Sequence, residues 1–438
     1  MELKKVAFHT LGCKLNFAET SSIARKFTDN GYERVDFSEN ADIYIINTCS
    51  VTKKADKKSE QFIKKARNQN PEAKIVVMGC YAQLQTEKIA SIEGVDLILG
   101  SNEKFRVKEY VENTEKTGQP EIHSCNIKDA SVYFPSFSYG DRTRSFLKIQ
   151  DGCDYHCSYC TIPLARGNSR NQSIQSIVEE AEKIGQTDVK EIILTGVNIG
   201  DFGKTTGESF LELIKALDQV GGIERIRISS IEPNLLTNEI ISFVNHSEKF
   251  LPHFHIPLQS GCNKILAQMK RRYKRELFQE RVAYIRKEIP DAFIGVDVIV
   301  GFPGEDESKY RETYQFLENL DASFYHVFSY SQRPNTPAAL MSNQMPENII
   351  SHRSKELQQL AEQKQNDFYR INLGNTRSVL FESHQKKDKI FGFTDNYIKV
   401  ELPYSHELVQ QIKKVKLEEV NENGNVTGAI ATEDRNNL

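Results

Sequence analysis

The sequence predicts an α/β protein in three parts: an open parallel sheet, a longer series of six strand–helix units, and a small antiparallel β-barrel. Three observations predict it. Short apolar runs alternate with helix patterns through residues 1–123 and again from about 141 to 345, the order expected of parallel strands joined by helices. A helix pattern at 346–371, opened by Pro346, then gives way to short strands between polar turns, as far as 431. The length, 438 residues, leaves room for two to four domains and a large core.

In the first part KKVAFHT, DIYIINT, AKIVVMG and VDLILG read as buried parallel strands. Helix patterns lie between and after them at about 16–30, 55–68, 84–92 and 104–113. Cys13 follows the first strand, Cys49 the second and Cys80 the third. The carboxyl ends of parallel strands share one edge of the sheet. These three thiols are therefore expected to meet, although 36 and 31 residues separate them. A single cysteine so placed would suit a small buried hydrophobe; three at the same structural position point to a shared metal centre.

The helix after Cys49 gathers Val51, Ala55, Phe62, Ile63 and Ala66 on one face, leaving Lys53, Lys54, Lys57, Lys58, Lys64, Lys65 and Arg67 to solvent. Such a face suits an ordinary solvated helix, or a grip on RNA phosphates beside the cysteines. Residues 114–140 carry no sustained periodicity. The boundaries drawn are 1–123, a linker at 124–140, 141–370, and 371–438. Cys125 in this stretch and Cys262 in LQSGCNK stand outside any motif.

The second series runs FLKIQ, KEIILTG, RIRISSI, HFHIPLQ, AFIGVDVIVG and SFYHVFSY, with helix patterns such as 173–185 and 208–219 between strands. FLKIQ leads into DGCDYHCSYCTIPLARGNSR, where Cys153, Cys157 and Cys160 stand at C-x3-C-x2-C. Gly152 permits a tight turn there. Thiolates this close converge on one inorganic centre, and iron–sulfur clusters are held in this way. Three ligands to a four-iron cluster leave one iron open to a small molecule. His156 offers the alternative of a Cys3His zinc site; a disulfide fits poorly with an odd number of thiols.

Later strand ends carry Thr195 and Gly196, then Ser229, Ser230 and Glu232, then Gln259 and Ser260, then Asp297 and a glycine-rich turn from Val298 to Glu305 that includes Gly301. Loops after parallel barrel strands are where such folds keep their chemistry. Arg166 and Arg170 could pair with a carboxylate or a phosphate, or be surface arginines. MKRRYKRE, residues 269–276, surrounds Tyr273 with five basic side chains, a composition suited to base stacking and phosphate contact.

The net charge of −3 excludes a general polycation, so any nucleic-acid surface must be a local patch. No apolar run approaches the roughly 20 residues of a membrane helix, and MELKKVAFHTLG lacks the features of a signal peptide. The expectation is a cytoplasmic protein without a membrane partner, whose clustered cysteines serve metal or catalysis. In the last part, SVLFES, KIFGFTD, YIKVELP and the region 413–431 supply the barrel strands, and KKDK at 386–389 is the most basic stretch.

The triad with Tyr159 before its last cysteine resembles the radical S-adenosylmethionine (radical SAM) signature. TLGCKLN, NTCSVTKKADKKSEQ and GCYAQ resemble the amino-terminal domain of the methylthiotransferases, the MiaB/RimO/MtaB group, and the likeness extends over nearly the entire chain. It implies that 141–370 forms a partial (βα)6 barrel and that 371–438 is a TRAM, OB-like RNA-binding domain. It also implies two [4Fe–4S] clusters and S-adenosylmethionine as cofactors. Cys153, Cys157 and Cys160 would hold the cluster that cleaves S-adenosylmethionine; Cys13, Cys49 and Cys80 would hold an auxiliary cluster that carries or donates sulfur. Tyr159, Thr195, Gly196, Ser229, Gln259 and Gly301 would lie on the cofactor side.

The family methylates a sulfur with one S-adenosylmethionine and generates a 5′-deoxyadenosyl radical from a second. A methylthio group then replaces hydrogen at an unactivated carbon. Cofactor chemistry of this kind needs no protein triad or general base, and none is assigned. CSYCTIPLARG is most similar to the MtaB branch, whose substrate is threonylcarbamoyl-adenosine next to the tRNA anticodon. Sister branches act on isopentenyl-adenosine in tRNA or on an aspartate of a ribosomal protein. The implied partners are the tRNA anticodon stem-loop, an electron donor such as flavodoxin or ferredoxin, and a sulfur source. Two other classes remain: a cluster-bearing electron carrier and a zinc-stabilised RNA-binding protein.

Overall fold

The computed structural model describes residues 3–140, 142–386 and 388–431, without the side chains of 384–386. Six parallel strands form the first sheet: β1 (Lys5–Thr10), β2 (Glu33–Val35), β3 (Ile43–Thr48), β4 (Lys74–Gly79), β5 (Leu97–Leu99) and β6 (Glu121–His123), in the order β2-β1-β3-β4-β5-β6. Every residue of β3 is buried. Tyr44, Ile46 and Val77 pack with Ile63 and Ala66 on one face, while Ile45, Val76 and Met78 pack with Ile23 and Phe27 on the other. That two-sided burial is why the central strands read as continuous apolar runs. The two edge strands, three residues each, were not expected; they are too short to carry a pattern.

The second part is a series of six parallel strands in sequence order. β7 (Arg144–Lys148), β8 (Glu191–Thr195) and β9 (Arg225–Ile228) form one sheet, and β10 (His253–Gln259), β11 (Phe293–Val300) and β12 (Phe324–Ser329) another. Parallel bridges Ile226 to Phe250 and Ser230 to His255 continue one sheet into the next. Leu147, Ile192, Leu194, Ile226, Ile228, Phe254, Ile256, Ile294 and Val296 join one core with the surrounding helices. Strand alternation turns their neighbours to the barrel interior. That interior is polar, with Arg144, Lys148, Glu191, Thr195, Arg225, Arg227, His253, His255, Asp297 and His326. Helix Lys14–Thr28 of the first part lies against it, Ala18 packing on Phe146 and Ile193.

Helix Glu347–Ile371 leads to a closed five-stranded barrel of β13 (Thr376–Lys386), β14 (Lys389–Thr394), β15 (Lys399–Pro403), β16 (Ile412–Val420) and β17 (Val426–Ile430). Val379, Phe381, Ile390, Val400, Val415 and Val426 fill it. Its strands pair antiparallel except β15 with β17, which meet parallel at Val400 and Val426. Of KKDK, Lys387 and the side chain of Lys386 lie outside the described residues.

This small barrel seals the amino ends of the larger barrel's strands. Arg225 Nη2 donates to the Ser378 carbonyl at 2.6 Å, and Arg227 Nη1 to the Asp395 carbonyl at 3.1 Å. Glu191, wholly buried, ion-pairs with Arg144 and Arg227 at 3.1 Å each and accepts a hydrogen bond from Arg227 Nε. The carboxyl ends of the strands lie away from the small barrel, where Val51 and Thr52, just after Cys49, adjoin Gln259 and Asp297. Among the described residues no helix is long and apolar enough to cross a membrane.

Candidate active site and cluster-binding residues

Cys153, Cys157 and Cys160 sit on the loop leaving β7. Two of their sulfurs accept backbone N–H groups, Cys153 from Tyr155 and Cys160 from Ile162, both at 3.4 Å. The third accepts from Arg271 Nη1 at 3.1 Å. Burial pushes Cys153 and Cys160 up to about 12, with the neighbouring thiols adding to the rise. Burial raises Cys157 as well, against the opposing charge of Arg271. His156 is exposed beside buried Cys157, and no three His, Cys, Asp or Glu side chains among the described residues close on a single-ion site.

Cys13, Cys49 and Cys80 meet at the carboxyl edge of the first sheet. Cys13 caps helix Lys14–Thr28, and Cys80 opens a short helix, Cys80–Leu84. Burial pushes the Cys49 thiol up to about 12, with Cys80 and Cys13 contributing, which puts all three in electrostatic reach of one another. A Cβ at Gly12, where φ is +102°, would stand 2.9 Å from the Cys49 sulfur. Only glycine lets this loop come so close. Cys13 is exposed at the surface, yet desolvation by the protein around it raises its thiol, against the opposing charge of Arg166.

Arg166 belongs to a buried charge cluster that joins the first part to the barrel. Its Nη1 lies 3.0 Å from Glu19 and 2.9 Å from Asp151, and its Nη2 lies 2.6 Å from Asn16 Oδ1 and 3.0 Å from Glu19. Lys104 reaches Glu19 at 2.6 Å. Lys148 bridges Glu19 and Asp151 at 2.9 and 2.8 Å, and Arg170 reaches Asp151 at 3.1 Å. Four cations thus face two carboxylates, an excess of two positive charges next to three cysteines. Both triads fit iron–sulfur clusters: sulfurs grouped in threes, N–H donors aimed at them, and cationic surroundings for anionic thiolates.

Comparison with known proteins agrees with this arrangement. Residues 5–100 match the family described as "Uncharacterized protein family UPF0004", and residues 147–317 match the radical SAM superfamily. The threonylcarbamoyladenosine tRNA methylthiotransferase MtaB of Bacillus subtilis (strain 168) is 40% identical over 422 residues, covering 94% of this chain and 93% of that protein. The chain belongs to the radical SAM methylthiotransferases. MtaB of Aquifex aeolicus is 38% identical, covering 90% and 96% of the two chains. A tRNA-2-methylthio-N(6)-dimethylallyladenosine synthase of Natranaerobius thermophilus is 33% identical, covering 94% of each. The radical SAM methyltransferase TsrM of Kitasatospora setae shares the fold, with a TM-score of 0.57 at 14% identity over 77% of each chain.

As a member of this family the enzyme is a transferase that uses S-adenosylmethionine and [4Fe–4S] clusters. A cavity of about 210 Å³ opens beside Cys160 and the Val51–Thr52 turn that follows Cys49, walled also by Tyr159, Gln259, Asp297, Ile299 and Phe328. Val51, expected on the apolar face of the helix after Cys49, instead precedes that helix and is 54% exposed; with Phe328, 50% exposed, it forms an apolar lip. A larger recess of about 540 Å³, among Phe8, Phe17, Arg142, Arg144 and Glu382, contains none of the six cysteines.

Of the six positions expected on the cofactor side, Tyr159 and Gln259 line the cavity. Gln259 takes a φ of +70° beside an irregularity in the β10–β11 register. Thr195, Gly196, Ser229 and Gly301 stand outside that lining. Gly196 is pressed against Gln150, whose Oε1 accepts the Val197 and Asn198 N–H groups at 2.9 and 2.8 Å. Gly301 faces Ile350, and its N–H donates to Glu305 at 2.7 Å.

The basic stretches differ from expectation. Arg166 and Arg170 are buried on internal carboxylates, so neither is offered to a ligand. Tyr273 is buried, its hydroxyl donating to the Pro257 and Leu258 carbonyls, and is no stacking platform. Arg271 ion-pairs with Glu232 as well as donating to Cys157, and Arg272 stacks on Tyr155. Arg166, Arg170 and Arg271 turn inward because thiols and carboxylates await them there, whereas Lys270, Arg272 and Lys274 stay exposed. Cys262 is buried among Ile265, Met269 and Phe302; the Cys125 backbone bonds to Glu103 and Gln83, and its thiol is not among the groups acting on the first triad.

Proposed function

We propose that this methylthiotransferase inserts a methylthio group at C2 of threonylcarbamoyl-adenosine next to the tRNA anticodon. The observation that carries this reading is the 40% identity, over nearly the whole of both chains, with the B. subtilis enzyme named for that nucleoside. Bound clusters and S-adenosylmethionine supply the sulfur, its methylation and the 5′-deoxyadenosyl radical that activates the C–H bond. The protein's part is to bind, orient and shield.

In this reading Cys153, Cys157 and Cys160 hold the cluster that takes S-adenosylmethionine, with Tyr159, Thr195, Gly196, Ser229, Gln259 and Gly301 on the cofactor side. Cys13, Cys49 and Cys80 hold the auxiliary cluster across the cavity. Units 1–123, 141–370 and 371–438, joined by 124–140, act as sulfur, radical and RNA-binding domains, the last a TRAM domain. Lys53, Lys54, Lys57, Lys58, Lys64 and Lys65 are exposed along helix Lys53–Gln69, which starts four residues beyond Cys49. They suit the phosphates of an anticodon stem-loop. An electron donor such as flavodoxin or ferredoxin and a sulfur source complete the reaction, in the cytoplasm.

The test is mass spectrometry of tRNA nucleosides from cells with and without the gene. Loss of methylthio-threonylcarbamoyl-adenosine, restored by wild type but not by Cys13→Ala or Cys157→Ala, is the expected result. Loss of methylthio-isopentenyl-adenosine instead would move the chain to the sister branch. Unchanged tRNA would point to the ribosomal-protein aspartate.

A further inference from the structure

Two cysteine loops from different parts of the chain are tied to one short segment. Residues 331–338, SQRPNTPA, follow β12, and Ser331 belongs to the wall of the cavity. Near its start the segment holds the loop that leaves Cys49. Arg333, 3% exposed, donates through Nη2 to Ser50 Oγ and to Asp56 Oδ2, both at 2.7 Å. Ser50 Oγ in turn donates to Asp56 Oδ1 at 2.9 Å, and the Lys53 N–H donates to Ser331 Oγ at 3.3 Å. Ser50 is the chain neighbour of Cys49.

At its other end the same segment holds the barrel's cysteine loop. The Ala338 N–H donates to the Ser158 carbonyl at 2.8 Å, and Ser158 lies between Cys157 and Cys160. Ala338 is wholly buried, in a cluster with Cys262, Ile265, Met269 and Phe302. Ser158 is fixed from behind as well, its Oγ donating to the Gln268 carbonyl at 2.8 Å. The stretch between the two anchors has little slack. Pro334 and Pro337 hold their own φ, and Thr336 Oγ1 donates to the Arg333 carbonyl at 2.7 Å.

We infer that Arg333 is a positioning residue, and that residues 331–338 form a brace setting the separation of the two cluster-binding groups. This rests on the assignment, under the function proposed above, of Cys49 to one cluster and of Cys157 and Cys160 to the other. It is independent of which nucleoside is modified. A guanidinium shared between a buried carboxylate and a hydroxyl is a directional, charge-assisted link. Through it a shift of the Cys49 loop is resisted by the same backbone that holds the Cys157–Cys160 turn. Transfer between two sites depends on such spacing, and a misplacement of about 1 Å can cost on the order of a hundredfold.

The test compares the reconstituted holoenzyme with its Arg333→Met variant by two readouts. Pulsed electron paramagnetic resonance measures the magnetic coupling between the two reduced clusters, without substrate. Turnover with a synthetic anticodon stem-loop bearing threonylcarbamoyl-adenosine gives the methylthiolated product formed per 5′-deoxyadenosine released. Arg333→Met is expected to keep its iron and its 5′-deoxyadenosine formation, to show a broadened coupling, and to lose about tenfold in product per 5′-deoxyadenosine. An unchanged coupling, or an equal loss of both products, overturns the inference and leaves Arg333 a contact of the fold. Should Arg333→Met fail to fold, Pro334→Gly with Pro337→Gly decides. Both prolines are exposed, so the pair loosens the brace without breaking a buried bond, and an unchanged coupling there overturns the inference equally. Should wild type leave this stem-loop unmodified, the coupling alone decides. Failure of the cluster assignment would look different: Cys49→Ala and Cys157→Ala would each retain the full iron.

Discussion

Arg166 lays both Nη nitrogens on the carboxylate of Glu19, 3.0 Å to each oxygen, across 147 residues of chain. The pair fixes the loop that follows the barrel's cysteine triad to the helix that follows Cys13. The barrel's cysteine loop and the helix that Cys13 caps are thereby held to one another through buried side chains. A methylthio group assembled on one side can reach a carbon activated from the other only if that spacing is rigid.

Glu19→Gln tests this weld. The substitution keeps the shape but leaves Arg166 and Lys148 with Asp151 as their one remaining carboxylate partner, and Lys104 without an ion pair among the described residues. Breaking a buried ion pair typically costs about 3–5 kcal/mol. Chemical denaturation of the variant is expected to show a loss of that order, with uncoupled unfolding of the first part.

Glu191 makes a pH-dependent contribution. Burial alone would raise it, but Arg227, Arg144 and Arg225 outweigh that and hold it at about 2, against an ordinary 4.5. A depressed carboxylate stabilises the fold above its unfolded pKa and loses that contribution as pH falls towards its folded one. The window is therefore pH 4.5 down to 2. Glu191→Gln is expected to destabilise the protein by roughly 3 kcal/mol at neutral pH, and the gap from wild type should close progressively below pH 4.5.

Arg271 donates to the Cys157 sulfur at 3.1 Å and ion-pairs with Glu232. Hydrogen bonds and positive charge at a cysteine sulfur raise a cluster's reduction potential. Arg271→Leu is expected to lower that potential and slow formation of 5′-deoxyadenosine. Potentiometric titration followed by electron paramagnetic resonance checks it, in a Cys13→Ala, Cys49→Ala, Cys80→Ala background that isolates this cluster.

The two cysteine groups should be separable. Cys49→Ala is expected to lose about half of the bound iron yet still cleave S-adenosylmethionine, whereas Cys157→Ala should lose a similar share and the cleavage with it. Iron analysis and chromatography of 5′-deoxyadenosine distinguish them. Gly12→Ala should resemble Cys49→Ala, because its Cβ would stand 2.7 Å from the Cys49 Cβ.

Much of this was legible in local sequence. The barrel triad lies within eight residues, and strand periodicity carried Cys13, Cys49 and Cys80 to a common edge. Helices 174–185 and 347–371 start and stop within a residue or two of their patterns. The stretch 84–92 departs: two short helices, Cys80–Leu84 and Thr86–Ala90, replace one, and Cys80 belongs to the first.

What the sequence determined by itself was whatever depends on neighbours along the chain: strand and helix order, the parallel sheets, and the thiols grouped at strand ends. Tertiary structure alone decided the fate of the charges. Arg166, Arg271 and Tyr273 look like a surface for phosphate and bases when read as a run of residues, but they are buried. Coulomb attraction and burial act through space, and the partners that draw these side chains inward, Glu19 for Arg166 and Cys157 for Arg271, lie 147 and 114 residues away.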